Sequence, residues 1–91
     1  MLLEVKNLMT YFRTQDGLEA DLLLESGKQR EIMEIKLTTS PSQEDFTRLG
    51  KVAALAKATR QVLISRANRA VVTKDKWSVD LATYLRASVA A

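Results

Sequence analysis

The sequence predicts an α/β domain: a mixed five-stranded sheet with helices packed on it, in the order (α)βββαββα. Three observations carry this. Residues 11–38 alternate with period two and are punctuated by two turn signals. The period changes to a helical one at Ser40-Pro41. Blocks rich in β-branched residues then return after residue 59. A strand meander, a helix and further strands need a sheet with both hydrogen-bonding senses. With 91 residues, the chain is read as one domain over 1–91.

Leu2, Val5 and Met9 recur at helical spacing and suggest a short helix over 1–9. Tyr11 to Thr14 favours a strand through its aromatic and β-branched residues. Asp16-Gly17 is a hairpin signal, because a type I′ turn needs positive φ at both central positions. Leu18 to Glu25 reads as the return strand, and Ser26-Gly27-Lys28 as a second turn. Arg30 to Thr38 reads as a third strand with Met33, Ile35 and Leu37 on one face. Ser40 is the expected N-cap of the next helix, with Pro41 in its first turn and Gln43 completing a capping box. Phe46, Leu49, Val52, Ala53 and Ala56 mark the buried face of that helix, which ends near Ala58. Arg60 to Arg66 and Arg69 to Lys74 read as a hairpin around Ala67-Asn68. Ser78 or Asp80 caps a last helix through Ala87, with Val79, Ala82, Leu85 and Val89 on its apolar stripe.

Composition narrows the chemistry. The chain has no cysteine and no histidine, which removes disulfides, thiolate chemistry and imidazole bases. No run of about 18 apolar residues is present, and the N-terminus lacks a signal-peptide layout, so the expectation is a cytoplasmic protein with no membrane association. Net charge is +3, but it is unevenly spread. Residues 1–45 hold five basic side chains against nine carboxylates, and residues 46–91 hold nine against two. Such asymmetry suits a polyanion approached by the basic half. A solvated surface with uneven charge is the plainer alternative.

The informative residues are Glu19-x-Asp21 and Glu34-x-Lys36. Residues two apart on a strand share a face, so each pair is presented together. If the Ser26-Gly27 turn joins the two strands, the pairs become neighbours. Converging carboxylates repel unless a cation sits between them, and hard oxygen donors suit Mg²⁺ or Mn²⁺. A lysine beside them can orient a water or stabilise charge on a phosphate. This is equipment for metal-assisted phosphodiester hydrolysis without histidine. A solvated sheet face would also place charges at alternate positions. Against that, Leu22-Leu23-Leu24 and Ile32 imply a face that is at least partly buried, where carboxylates need a cation or donor.

Tyr11-Phe12-Arg13-Thr14-x-Asp16-Gly17-x-Glu19-x-Asp21, followed by Ile32-Met33-Glu34-Ile35-Lys36 and Ser40-Pro41, resembles the C-terminal domain of a prokaryotic family of AAA-type ATPases. That domain resembles the restriction-endonuclease-like, PD-(D/E)XK fold. The resemblance implies a nuclease-like domain in which Asp21, Glu34 and Lys36 match the catalytic signature. It implies metal binding by Asp21 and Glu34, with Glu19 at the family's second acidic position. The cofactor expected is Mg²⁺ or Mn²⁺, and the substrate DNA. The chain carries no glycine-rich phosphate-binding loop. The nuclease fold usually opens with a full helix that supplies a glutamate, a place for which Glu4 is the candidate here. A catalytically inactive nucleic-acid or protein interaction domain is the alternative function.

Arg48 and Lys51, three apart on the predicted helix, are candidate phosphate contacts. Arg13 reads equally as a DNA anchor or as an ion-pair partner for Glu19 or Asp21. Arg60, Arg66 and Arg69 are either phosphate contacts or strand-end charges. Trp77 and Tyr84 read as core or interface aromatics. A short opening helix leaves sheet surface to be covered. Leu81, Tyr84, Leu85 and Val89 span a wide arc on the last helix, so the expected partner is a second copy in a homodimer, or an ATPase chain.

Overall fold

The computed structural model describes residues 8–13 and 19–90, with side chains for 20–87. The strands are β1 (Leu8–Arg13), β2 (Glu19–Ser26), β3 (Gln29–Ile35), β4 (Arg60–Ile64), β5 (Val71–Val72) and β6 (Lys76–Val79). The helices are α1 (Gln43–Ala56) and α2 (Leu81–Ala90). The strands form one mixed sheet in the order β1-β2-β3-β4-β6-β5. The meander β1-β2-β3 is antiparallel, β3, β4 and β6 run parallel, and β5 closes the edge antiparallel to β6. No helix among the described residues is long and apolar enough to cross a membrane.

The five expected strands are all present in a mixed sheet, and a sixth joins them. Their arrangement after α1 differs from the expectation. β4 and β5 do not form a hairpin, because β4 lies between β3 and β6, parallel to both. The reason is burial. Val62 and Leu63 are fully buried and Ile64 is 4% exposed, so consecutive residues of β4 need cover on both faces, which only a central strand receives. Lys76–Val79, with Ser78 a candidate helix cap and Val79 part of the expected helix stripe, is instead the strand that supplies one flank, and α2 begins at Leu81. The predicted helix over 1–9 and the Asp16-Gly17 turn lie largely outside the described residues, although Leu8 and Met9 belong to β1.

α1 begins two residues later than Ser40. Ser42 is the N-cap: its hydroxyl accepts from the Asp45 N–H at 3.2 Å, and the Asp45 carboxylate accepts from the Ser42 N–H at 2.9 Å. The capping box is therefore Ser42 with Asp45, not Ser40 with Gln43, and the competing Ser40 N–H is taken by the Thr38 hydroxyl at 3.1 Å. The helix stops at Lys57, which takes a left-handed conformation (φ 54°) and donates its N–H back to the last turn. Asp80 caps α2, its carboxylate accepting from the Thr83 N–H at 2.7 Å.

Two cores sandwich the sheet. α1 lays Leu49, Val52, Ala53 and Ala56 on Ala20, Leu23, Ile32 and Leu63. The opposite face packs Met33, Val62, Ile64 and Val79 with Leu22, Leu24, Trp77 and Tyr84. Met33 is buried there, but its face-mates Ile35 and Leu37 are exposed. Each fully buried branched residue is worth about 1.5–3 kcal/mol, so the two cores fix the strands firmly enough to hold polar groups at their rim.

Candidate active site

The pairing of β1 with β2 contains one irregularity. Thr10 pairs with Leu23 and Phe12 with Ala20, so two steps on β1 match three steps on β2. The extra residue is a bulge at Asp21-Leu22. It explains why Ala20 and Leu23, three apart, lie in the same core. It also turns Asp21 out of the regular ladder. The Asp21 carboxylate accepts a hydrogen bond from the Ile35 N–H at 2.8 Å, serving a backbone donor beyond the last β2–β3 pair.

That hydrogen bond places Asp21 against Glu34. Glu34 shares its face with Ile32, hence the face covered by α1. Burial and the neighbouring Asp21 carboxylate push the Glu34 carboxyl above its ordinary value, while Arg48 and Lys36 oppose the shift. The Asp21 carboxylate therefore lies close enough for its charge to act on Glu34.

Lys36 lies two residues beyond Glu34, and its backbone N–H donates to Ile64 O at 2.8 Å, so β4 fixes its position. Its ammonium meets the Asp45 carboxylate at 2.9 Å. Arg48, one turn along α1, reaches Asp45 at 3.4 Å and Glu34 at 3.6 Å. The hydrogen bond from Lys36 and those from Ser42 hold Asp45 down to about 2. Three carboxylates and two cations thus converge where the rim of the sheet meets the first turn of α1.

Asp21, Glu34 and Lys36, singled out by their spacing, are therefore brought together, and Arg48 joins them from the helix. Lys51 is exposed further along α1. The side chains of Glu19 and Arg13, and the whole of Glu4, lie outside the described residues. Asp45 was not among the expected site residues. Its signal was the Ser42-x-x-Asp45 capping box, which also places a carboxylate in the first helical turn.

Two neighbouring oxygens of Asp21 and Glu34 suit a hard divalent ion, and the raised Glu34 pKa marks a pair that a cation would relieve. Among the described residues no group of three or more acidic, histidine or cysteine side chains forms a metal cage. A divalent ion held there would have two carboxylate ligands and would take the rest of its shell from water or substrate oxygens. On the other side of α1 lies a groove of about 550 Å³, lined by Gln43, Phe46, Gly50, Gln61, Lys76 and Ser78 among others.

Residues 2–84 match the family described as a domain of unknown function, DUF4143, and the chain belongs to that family. Domains of this family are commonly found at the C-termini of AAA-type ATPases. No curated protein and no solved structure matches the chain.

Proposed function

We propose that this DUF4143 domain is a nuclease-like domain of restriction-endonuclease-like, PD-(D/E)XK type that hydrolyses DNA phosphodiesters with Mg²⁺ or Mn²⁺. The observation that carries this is the Asp21–Glu34 pair, two like charges held side by side with Lys36 on the same rim. The topology supports the fold part of the reading. An antiparallel meander is followed by a helix and a strand parallel to its last member, with the acidic pair at the join.

Asp21 and Glu34 would hold the ion, with the bulge and the Ile35 N–H fixing the Asp21 carboxylate. When bound, the ion supplies a Lewis acid and an acidified water for attack on phosphorus. Lys36 donates N–H groups to a phosphate oxygen as negative charge builds there. To do so it exchanges its contact with Asp45 for one with substrate. Arg48 bridges Glu34 and Asp45 and keeps both acids turned to the rim. Asp45 is a positioning residue, since it touches both cations.

The alternative is a catalytically inactive nucleic-acid or protein interaction domain. Its supporting observation is that Lys36 is already paired with Asp45. Exposed Leu81 and Leu85 on α2 support a protein partner, which we place as a second copy; an ATPase chain is the other candidate.

Plasmid and oligonucleotide cleavage in Mg²⁺ or Mn²⁺ tests the enzyme reading. Lys36→Ala and Asp21→Asn should each lower the rate by about a hundredfold or more. Equal cleavage by the wild type and Lys36→Ala removes the lysine from the mechanism. A wild type that binds DNA without cutting it moves the domain to the interaction reading.

A further inference from the structure

The sheet face away from α1 keeps apolar surface that α2 does not cover. Ile35 (44% exposed), Leu37 (74%), Leu81 (55%) and Leu85 (52%) are four of the seven large exposed apolar residues among those described. They lie together. Ile35, Leu37 and Leu81 line one cavity of about 450 Å³, where the C-terminal ends of β3 and β4 meet the start of α2. Leu85 follows Leu81 by one helical turn and extends the stripe. Exposed apolar side chains standing singly are ordinary, but a contiguous group marks an interface.

Two opposite charges, Arg66 and Asp80, line the same cavity. The simplest use for them would be to pair with one another. They are not in ion-pair contact, and neither forms a salt bridge among the described residues. Asp80 turns Oδ1 to the Thr83 N–H as the cap of α2. The Arg66 side chain is exposed, while its backbone N–H is tied to Thr38 O at 2.8 Å. An apolar centre flanked by one cation and one anion is complementary to itself. Across a two-fold axis, Arg66 of each copy comes to Asp80 of the other as the apolar stripes meet. A partner carrying one sign of charge would leave one of the two unanswered.

We propose that a second copy of this chain docks on this patch, with Leu37, Leu81 and Leu85 at the centre and two reciprocal Arg66–Asp80 pairs at the edges. This names the surface for the second copy placed above and rests on that placing, not on catalysis. Ile35 and Leu37 alternate with Glu34 and Lys36 at the end of β3. Lys36 turns to Asp45 on α1, whereas Leu37 turns to the cavity on the opposite face. The dimer therefore braces the back of the segment that carries Glu34 and leaves its front open.

Sedimentation velocity of the full chain, without DNA or metal, tests this. The apolar centre is on the order of a few hundred Å² per copy, at the small end for a specific interface. The wild type should therefore pass from monomer to dimer, about twice the 10.2 kDa chain mass, as concentration rises through the micromolar range. Leu37→Glu with Leu81→Glu should raise the dimer Kd at least about tenfold. Leu55→Glu, at an equally exposed leucine on α1, should dimerise as the wild type does.

A charge swap tests the two-fold pairing itself. Arg66→Glu alone and Asp80→Lys alone should each weaken the dimer, because each sets like charges opposite one another twice. An equal mixture of the two chains restores both opposite-charge pairs and should associate more tightly than either alone. Thermal melts verify that each variant is folded, Asp80→Lys above all, since it gives up the α2 cap. A wild type that stays monomeric to about 100 μM overturns the proposal. So does a dimer indifferent to the two leucine substitutions, or a mixture no tighter than its parts. A dimer of this kind that never cuts DNA supports the surface and refutes only the catalytic reading; a monomer that cuts DNA does the reverse.

Discussion

Strand β3 carries two glutamates three residues apart, on opposite faces, with opposite surroundings. Glu31 is 6% exposed and fully answered. Arg60 reaches it at 3.3 Å and the Tyr84 hydroxyl donates to its other oxygen. The Arg60 guanidinium stacks 4.5 Å above the Trp77 ring, which meets Tyr84 edge-on. Those groups come from β4, β6 and α2, so the cluster fastens the last helix to the sheet. Glu34, by contrast, has another acid beside it as well as the Arg48 cation at 3.6 Å, and the net effect of burial and Asp21 is to push its carboxyl up. A carboxylate surrounded by a cation and a phenol is structural. A carboxylate set beside a second carboxylate, even with a cation near, costs the fold something, and such costs gather where chemistry is done.

The largest effect should come from breaking the satisfied side. Glu31→Ala takes the carboxylate from Arg60 and removes the bond that the Tyr84 hydroxyl makes to Glu31. With Arg60 28% exposed, the expected loss is about 2–3 kcal/mol, under the roughly 3–5 kcal/mol of a fully buried pair. Urea unfolding at pH 7 measures it, and a loss below about 0.5 kcal/mol would mean the cluster is not structural.

Asp45→Asn should act less on stability. The depressed Asp45 carboxyl lends stability that is whole above pH 3.8 and fades as pH falls to about 2. The variant should therefore melt below the wild type at pH 7, and the gap should close toward pH 2. A gap independent of pH would show that the capping geometry, not the charge, is at work.

Glu34→Gln should give the smallest change and the opposite sign. A carboxyl raised in the folded state favours the fold while protonated, so its contribution falls as pH rises past 4.5 through the raised value. Above that window the glutamine variant should melt higher than the wild type, and below pH 4.5 the two should coincide. Added Mn²⁺ should then stabilise the wild type alone, by about 1.4 kcal/mol at ten times its Kd. A variant less stable than the wild type at pH 7 would refute the strain assigned to this pair.

The acidic pair was legible in the sequence because Glu34-x-Lys36 obeys strand alternation, and Asp21 lies on the strand that turns back into β3. The bulge beside Asp21 was not legible, since one extra residue leaves no mark on an apolar run such as Leu22-Leu23-Leu24. The meander and α1 were readable from local periodicity and turn residues. The later strands were not, because parallel pairing is non-local. Ala67-Asn68 resembles a hairpin turn, yet the continuous apolar run Val62-Leu63-Ile64 was the truer signal of a central strand. Asp45 was hidden behind a neighbouring choice of cap, two serines lying two residues apart.

The spare residue of β2 also sets how this domain can change by descent. Deleting Leu22 would leave Ala20 and Leu23 on the α1 side and restore an unbroken ladder with β1. The sheet would become more regular. Asp21 would then alternate to the far face, away from Glu34. A single-codon deletion would therefore dismantle the acidic pair and turn a carboxylate toward the apolar face that Leu22 now joins, and an insertion at the same point could make the reverse journey.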